Sequence, residues 1–157
     1  NKSYAYDKEV PNSKKAILHY RLIGHSENYY LLEVDLKTGR HHQIRCQLAK
    51  MGCPIKGDLK YGSPRSNPDG SICLHARRVR FIHPVSKELI ELEAPLPEGN
   101  LWKGFAHRLT RISTDSFIML FSRRYAVFSV ENRVNLWLEL AKRVNLPAIF
   151  LVNSSDS

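Results

Sequence analysis

The chain has 157 residues, 43% hydrophobic and 25% charged, enough for one ordinary globular domain and too short for two comfortable ones. Lys and Arg outnumber Asp and Glu by 24 to 15, and the net charge of +9 favours a polyanionic partner through phosphate neutralisation. No apolar run approaches the roughly 18–20 residues of a membrane span, and the polar start Asn1-Lys2-Ser3-Tyr4 has no signal-peptide core.

The absent initiator Met leads us to expect that the chain begins inside a longer reading frame. Residues 1–105 hold 17 basic and 11 acidic residues, so most of the positive excess lies where the motifs are. Cys46, Cys53 and Cys73 form an odd set with no Cys-x-x-Cys pair. Buried, inert thiols in a reducing, cytoplasmic compartment are expected rather than a disulfide framework. His41, His42 and Cys46 have no second ligand pair at zinc-like spacing, so no metal site is expected.

Residues 1–14 are polar, with Pro11-Asn12-Ser13 reading as a turn. Ala16 to Ile23 has strand composition, and Gly24 to Asn28 reads as a hairpin connection. From Tyr29 to Leu36 the chain comes to alternate, with Leu32, Val34 and Leu36 on one face and Glu33 and Asp35 on an expected solvent face. The period then changes. Thr38 is placed to cap a helix whose buried stripe is Ile44, Leu48 and Met51, and Gly52 with Pro54 ends it. Arg45 falls at the shoulder of that stripe, where a cation can reach into a cleft or snorkel to water.

Residues 62–71 carry two Pro and two Gly and read as a loop, with Asp69 in a Pro-Asp-Gly turn. Cys73 to Ile82 alternates in part, Leu74, Ala76, Val79 and Phe81 interleaving with Arg77, Arg78 and Arg80; the offset predicts a bulge near Arg77-Arg78. His83 to Ser86 turns the chain into a further strand, Leu89 to Ala94, closed by Pro95-Leu96-Pro97. The pattern predicts an α+β fold, an antiparallel or mixed sheet with one packed helix. After Phe105 the character shifts, so 106–157 is read as a partly helical tail whose origin the sequence leaves open, its helix at Val130 to Val144 and Asn153 to Ser157 disordered.

Three blocks stand in fixed order: Thr38-Gly39-Arg40-His41-His42-Gln43-Ile44-Arg45, then Gly57-Asp58-Leu59-Lys60-Tyr61-Gly62, then Leu74-His75-Ala76. With His83-Pro84 and Ala94-Pro95-Leu96-Pro97, they closely resemble the RluA-type RNA pseudouridine synthases over roughly residues 15–105. The resemblance is to the C-terminal part of that family's catalytic domain. It implies isomerisation of uridine to pseudouridine in rRNA or tRNA, an RNA partner, and no metal or organic cofactor.

The same resemblance assigns roles. Arg45 resembles the catalytic Arg that pairs with an Asp nucleophile, which attacks the ribose of a flipped uridine, and a guanidinium there keeps a carboxylate ionised and aimed. Leu74 resembles the apolar residue lining the base pocket. Arg40, His41, His42 and Gln43 resemble pocket-shaping or RNA-facing groups; for His42 a structural hydrogen bond holding the helix start is an equal reading. Asp58 reads as a turn brace. The family's His-Arg-Leu-Asp motif, which carries the nucleophile, does not precede these blocks, so the chain is expected to be incomplete and to lack its Asp. His107-Arg108-Leu109-Thr110-Arg111 is similar to that motif, but Thr110 stands where the Asp should be. A non-catalytic RNA-binding module on the same scaffold and an inert truncation product are the alternatives.

Overall fold

The computed structural model describes residues 1–106, 116–122 and 146–155. Strands β1 (Lys2–Tyr6), β2 (Lys14–His25) and β3 (Tyr29–Leu36) precede helix α1 (Gln43–Lys50) and a 3-10 turn, Leu59–Tyr61. Then come β4 (Leu74–Ile82), β5 (Leu89–Glu93), the short helix α2 (Asn100–Lys103), β6 (Ser116–Ser122) and β7 (Leu146–Ser155). The described strands form one seven-stranded antiparallel sheet ordered β1-β7-β2-β3-β6-β4-β5. With α1 packed beside β1 and β7, the architecture is α+β.

β2 and β3 form the expected hairpin around Ser26, whose hydroxyl accepts the Tyr29 N–H at 3.1 Å. Along β2 every second residue from Ala16 to Gly24 is buried, the period-two signature of a strand with one covered face. β3 differs from expectation. Tyr30 to Val34 are buried without a break, in a strand that lies inside the sheet between β2 and β6. Glu33 is therefore 5% exposed and takes two hydrogen bonds from Arg21, its cross-strand neighbour, at 2.5 and 3.0 Å. Asp35 is likewise not a free solvent-facing acid; it is mostly covered and ion-paired with Lys37 at 2.6 Å.

Thr38 does not cap α1. Its hydroxyl accepts the Ile17 N–H at 2.8 Å and donates to Gln43 Oε1 at 2.9 Å, and the capping position falls four residues later, on His42. The reason lies on the β3-facing side of β2. β7 pairs with β2 along its other side, but the β2–β3 ladder stops at Leu18↔Leu36, so on that side Ile17 takes partners from beyond β3, its carbonyl accepting from the Lys37 and Thr38 N–H. Gln43 Nε2 donates to the Ile17 carbonyl and Gln47 Nε2 to the Ala16 carbonyl, both at 3.1 Å, fastening α1 to β2. At the other end, Gly52 (φ +78°) donates to the Ala49 carbonyl and Cys53 to that of Leu48. That pair of bonds is a Schellman stop.

Ile44 and Leu48 join the main core with Leu18, Tyr20, Leu32, Val34 and Ile55, while Cys46 and Ala49 pack with Ala16, Tyr61 and Val152. β4 shows the expected irregularity, a register shift between Ala76 and Arg78 against β6. Beyond Arg78 the β4–β5 ribbon projects past β6, leaving Val79, Phe81, Ile82 and Leu92 exposed.

The ends of the chain also differ from the sequence reading. Lys2–Tyr6 is a strand rather than a polar approach, and Asn153–Ser155 belong to β7, where they pair with Tyr4, Ser3 and Lys2. β6, drawn from the stretch without clean periodicity, is the continuous apolar run Phe117 to Phe121 between β3 and β4. The helix read at 130–144 and the His107 to Arg111 block lie outside the described residues.

Candidate functional site

The first turn of α1, the 3-10 turn and β1 converge on one polar cluster. Arg45 projects from α1 toward Asp58, donating from Nε to Oδ2 at 2.7 Å and from Nη2 to Oδ1 at 2.8 Å. This is the side-on bidentate geometry that a planar guanidinium offers a carboxylate. The Asp58 side chain is 1% exposed and that of Arg45 19%. The hydrogen bond to Asp58 holds the Arg45 guanidinium above its ordinary range. Asp58 braces the backbone as well, its carbonyl accepting the N–H of Tyr61 and of Ser63.

Arg45 makes a third bond, from Nη1 to His42 Nε2 at 3.0 Å, and its Cζ lies 4.9 Å from the centre of the Tyr61 ring. Arg has no acceptor, so His42 Nε2 carries no proton and the imidazole hydrogen resides on Nδ1. That Nδ1–H donates to Tyr61 Oη at 2.9 Å, and the Ser3 N–H donates to the same oxygen at 2.8 Å. His42 is held below its usual pKa first by burial, then by its electrostatic neighbours, Arg45 foremost. Burial pushes the Tyr61 phenol up.

His41 stacks on His42 with ring centres 3.8 Å apart, and its Nδ1 shares a hydrogen bond with Ser3 Oγ at 2.8 Å. His41 is exposed. Arg40, also exposed, donates from Nε to the Lys15 carbonyl at 3.3 Å. Gln43 is 3% exposed and turned inward to Ile17, Thr38 and the Arg40 N–H. Leu74 sits at the start of β4, partly buried against the main core. Among the residues singled out from the sequence, then, His41, His42 and Arg45 come together, while Gln43 fastens the helix and Leu74 packs elsewhere.

The acid bonded to Arg45 in this structure is Asp58, a residue of this chain, where the sequence reading has Arg45 pairing with an Asp from outside it. Two partners were missed. Tyr61 sits in a quoted motif, and its fixed spacing after Asp58 was the available signal. Ser3 carried none, because its role depends on β1 pairing with β7 at the far end of the chain. Among the described residues no cluster of three or more His, Cys, Asp or Glu could hold a metal ion.

A family model described as RNA pseudouridylate synthase matches residues 1–50, which include Arg40 to Arg45. Over this matched part, the chain is similar to the RNA pseudouridine synthase family. It is 41% identical over 100 residues to ribosomal large subunit pseudouridine synthase D of Haemophilus ducreyi, covering 55% of this chain and 31% of that protein. An RNA pseudouridine synthase of Chloroflexus aurantiacus, itself uncharacterised, is 47% identical over 89 residues, covering 56% and 28%. The uncharacterised pseudouridine synthase YlyB of Bacillus subtilis is 39% identical over 87 residues, covering 55% and 29%. The chain therefore spans about a third of the length of the pseudouridine synthases it matches. No solved structure matches it.

Proposed function

We propose that this chain is part of an RNA pseudouridine synthase that isomerises uridine in rRNA or tRNA, with residues 1–105 forming part of its catalytic domain and fold. The observation that carries the reading is the fixed guanidinium of Arg45. Of its five N–H donors three are committed, to Asp58 and His42, which leaves two for an incoming group. An Asp nucleophile supplied from outside this chain is that group. Asp58 cannot take the part, because it is buried and both its oxygens already accept from Arg45.

Around Arg45, the exposed Arg40 and His41 face RNA, and His42 and Gln43 hold the turn that presents them, while Leu74, outside this cluster at the start of β4, offers apolar surface to the extruded base. The reaction needs no metal or organic cofactor, since the bond exchange at the ribose requires only a nucleophile and proton transfer. The described residues include no helix long and apolar enough to cross a membrane, and a reducing, cytoplasmic setting suits three free thiols.

A non-catalytic RNA-binding module is the second reading, favoured by the burial of Asp58 together with the charge of +9. Both readings require RNA binding through phosphates. Raising salt from about 50 to 200 mM should weaken binding of a uridine-containing RNA roughly 50-fold if about four phosphates are neutralised. Binding that ignores salt, or no binding at all, contradicts both.

A further inference from the structure

Residue 42 has a backbone that its side chain does not favour. His42 lies in the left-handed region (φ +49°, ψ +25°), which few non-glycine residues occupy although Asn, Asp and His do so more often than others. Such strain, on the order of 1–2 kcal/mol, persists where surrounding contacts over-determine it. Here they do: the ring is stacked on His41, set edge-on to Tyr61 at 5.6 Å, and bonded through both nitrogens.

We propose that His42 is the positioning residue for Arg45, and that protonating its imidazole releases the guanidinium and disables the site. The inference rests on the reading of Arg45 as the working group of a synthase and adds its regulation by pH. As the neutral, Nδ1-protonated ring, His42 accepts from Arg45 and donates to Tyr61, so the two uncommitted N–H of Arg45 keep one orientation. Asp58 alone holds one edge of the guanidinium; His42 fixes Nη1 as well.

A proton added to Nε2 would set two donors, and two cations, against each other across 3.0 Å. The contact must open. The groups facing His42 oppose that proton. His41 and Arg45 from its own turn and helix, and Lys60 from the 3-10 turn, disfavour the charged ring, and Asp58 favours it. Tyr61 is a neutral acceptor at neutral pH, and Lys2 of β1 adds a further cation 5.4 Å from the Tyr61 ring.

The experiment is a pH titration of the isotopically labelled full chain by NMR, reading the His42 tautomer and the rotation of the Arg45 Cζ–Nη1 bond. The expected result is Nδ1-protonated His42 above pH 7 with slow Arg45 Nη1 rotation, turning fast with the midpoint at which His42 titrates. His42→Gln keeps an acceptor and a donor but does not titrate, so rotation should stay slow down to about pH 5. If that variant does not fold, the wild-type titration decides alone. A proton on Nε2 at neutral pH, or Arg45 rotation indifferent to His42 charge, overturns the proposal. A parallel binding series with a uridine-containing RNA separates the two readings. Absent binding with the NMR linkage intact removes the synthase function and leaves the positioning role. Intact binding without the linkage does the reverse.

Discussion

Arg45 and Asp58 meet through two hydrogen bonds of 2.7 and 2.8 Å, with the carboxylate 1% exposed. Removing one partner strands the other. Arg45→Met should therefore destabilise the fold by about 3–5 kcal/mol, most of it the unpaired buried carboxylate. Arg45→Met combined with Asp58→Leu should recover a large part of that loss. Urea unfolding of the three proteins checks it, and a single-variant loss below about 1 kcal/mol would mean the pair is solvated.

Stability should fall on mild acidification. His42 and His75 both sit below the ordinary value of 6.5, chiefly because burial disfavours their charged forms. The unfolded chain then binds protons that the folded chain does not. Their contribution is complete above pH 6.5 and is lost as pH drops through the folded values. Melting temperature across this window should drop for the wild type and drop less for His42→Gln and for His75→Gln.

Gly57 and Gly62 test the turn that carries Asp58. Both have positive φ, +90° and +101°, but a Cβ on Gly57 would lie 2.5 Å from the Ser71 carbonyl oxygen, whereas at Gly62 nothing lies within 4 Å. Gly62→Ala should lose about 1–2 kcal/mol from backbone strain alone. Gly57→Ala should lose more, because backbone must also move. Equal losses in denaturant unfolding would contradict the packing described for this turn.

The thiols should be inert in the folded protein. Cys46 and Cys53 are buried, and burial pushes them to about 11 and about 12. Cys73 is raised for the same reason. Alkylation at pH 8 should label none of the three until denaturant is added. Rapid labelling of Cys53 in the native state would be inconsistent with its place in the core.

Local pattern made the β2–β3 hairpin, the α1 stripe and the β4 bulge legible, since each rests on periodicity or on a stop signal within a few residues. What depends on distant pairing was not. Thr38 looks like a cap because its neighbours are helical, but the β3-facing side of β2, beyond the end of that ladder, claims its hydroxyl. Glu33 looks solvent-facing because it alternates with leucine, yet β6, more than 80 residues away, pairs with the strand at that register (Glu33↔Ile118). At the site, motif order pointed to His41, His42 and Arg45. The Asp58 partnership was hidden because a Gly-Asp pair in sequence reads as a turn, whichever way the carboxylate faces.

The central claim is that Arg45 is a prepared cation whose reaction partner this chain does not supply. Tritium release from 5-labelled uridine in ribosomal or transfer RNA tests it most directly. The account predicts no release above background from this polypeptide by itself. Sustained release that is abolished by Arg45→Ala but survives Asp58→Asn would contradict it, for the nucleophile would then lie within these 157 residues.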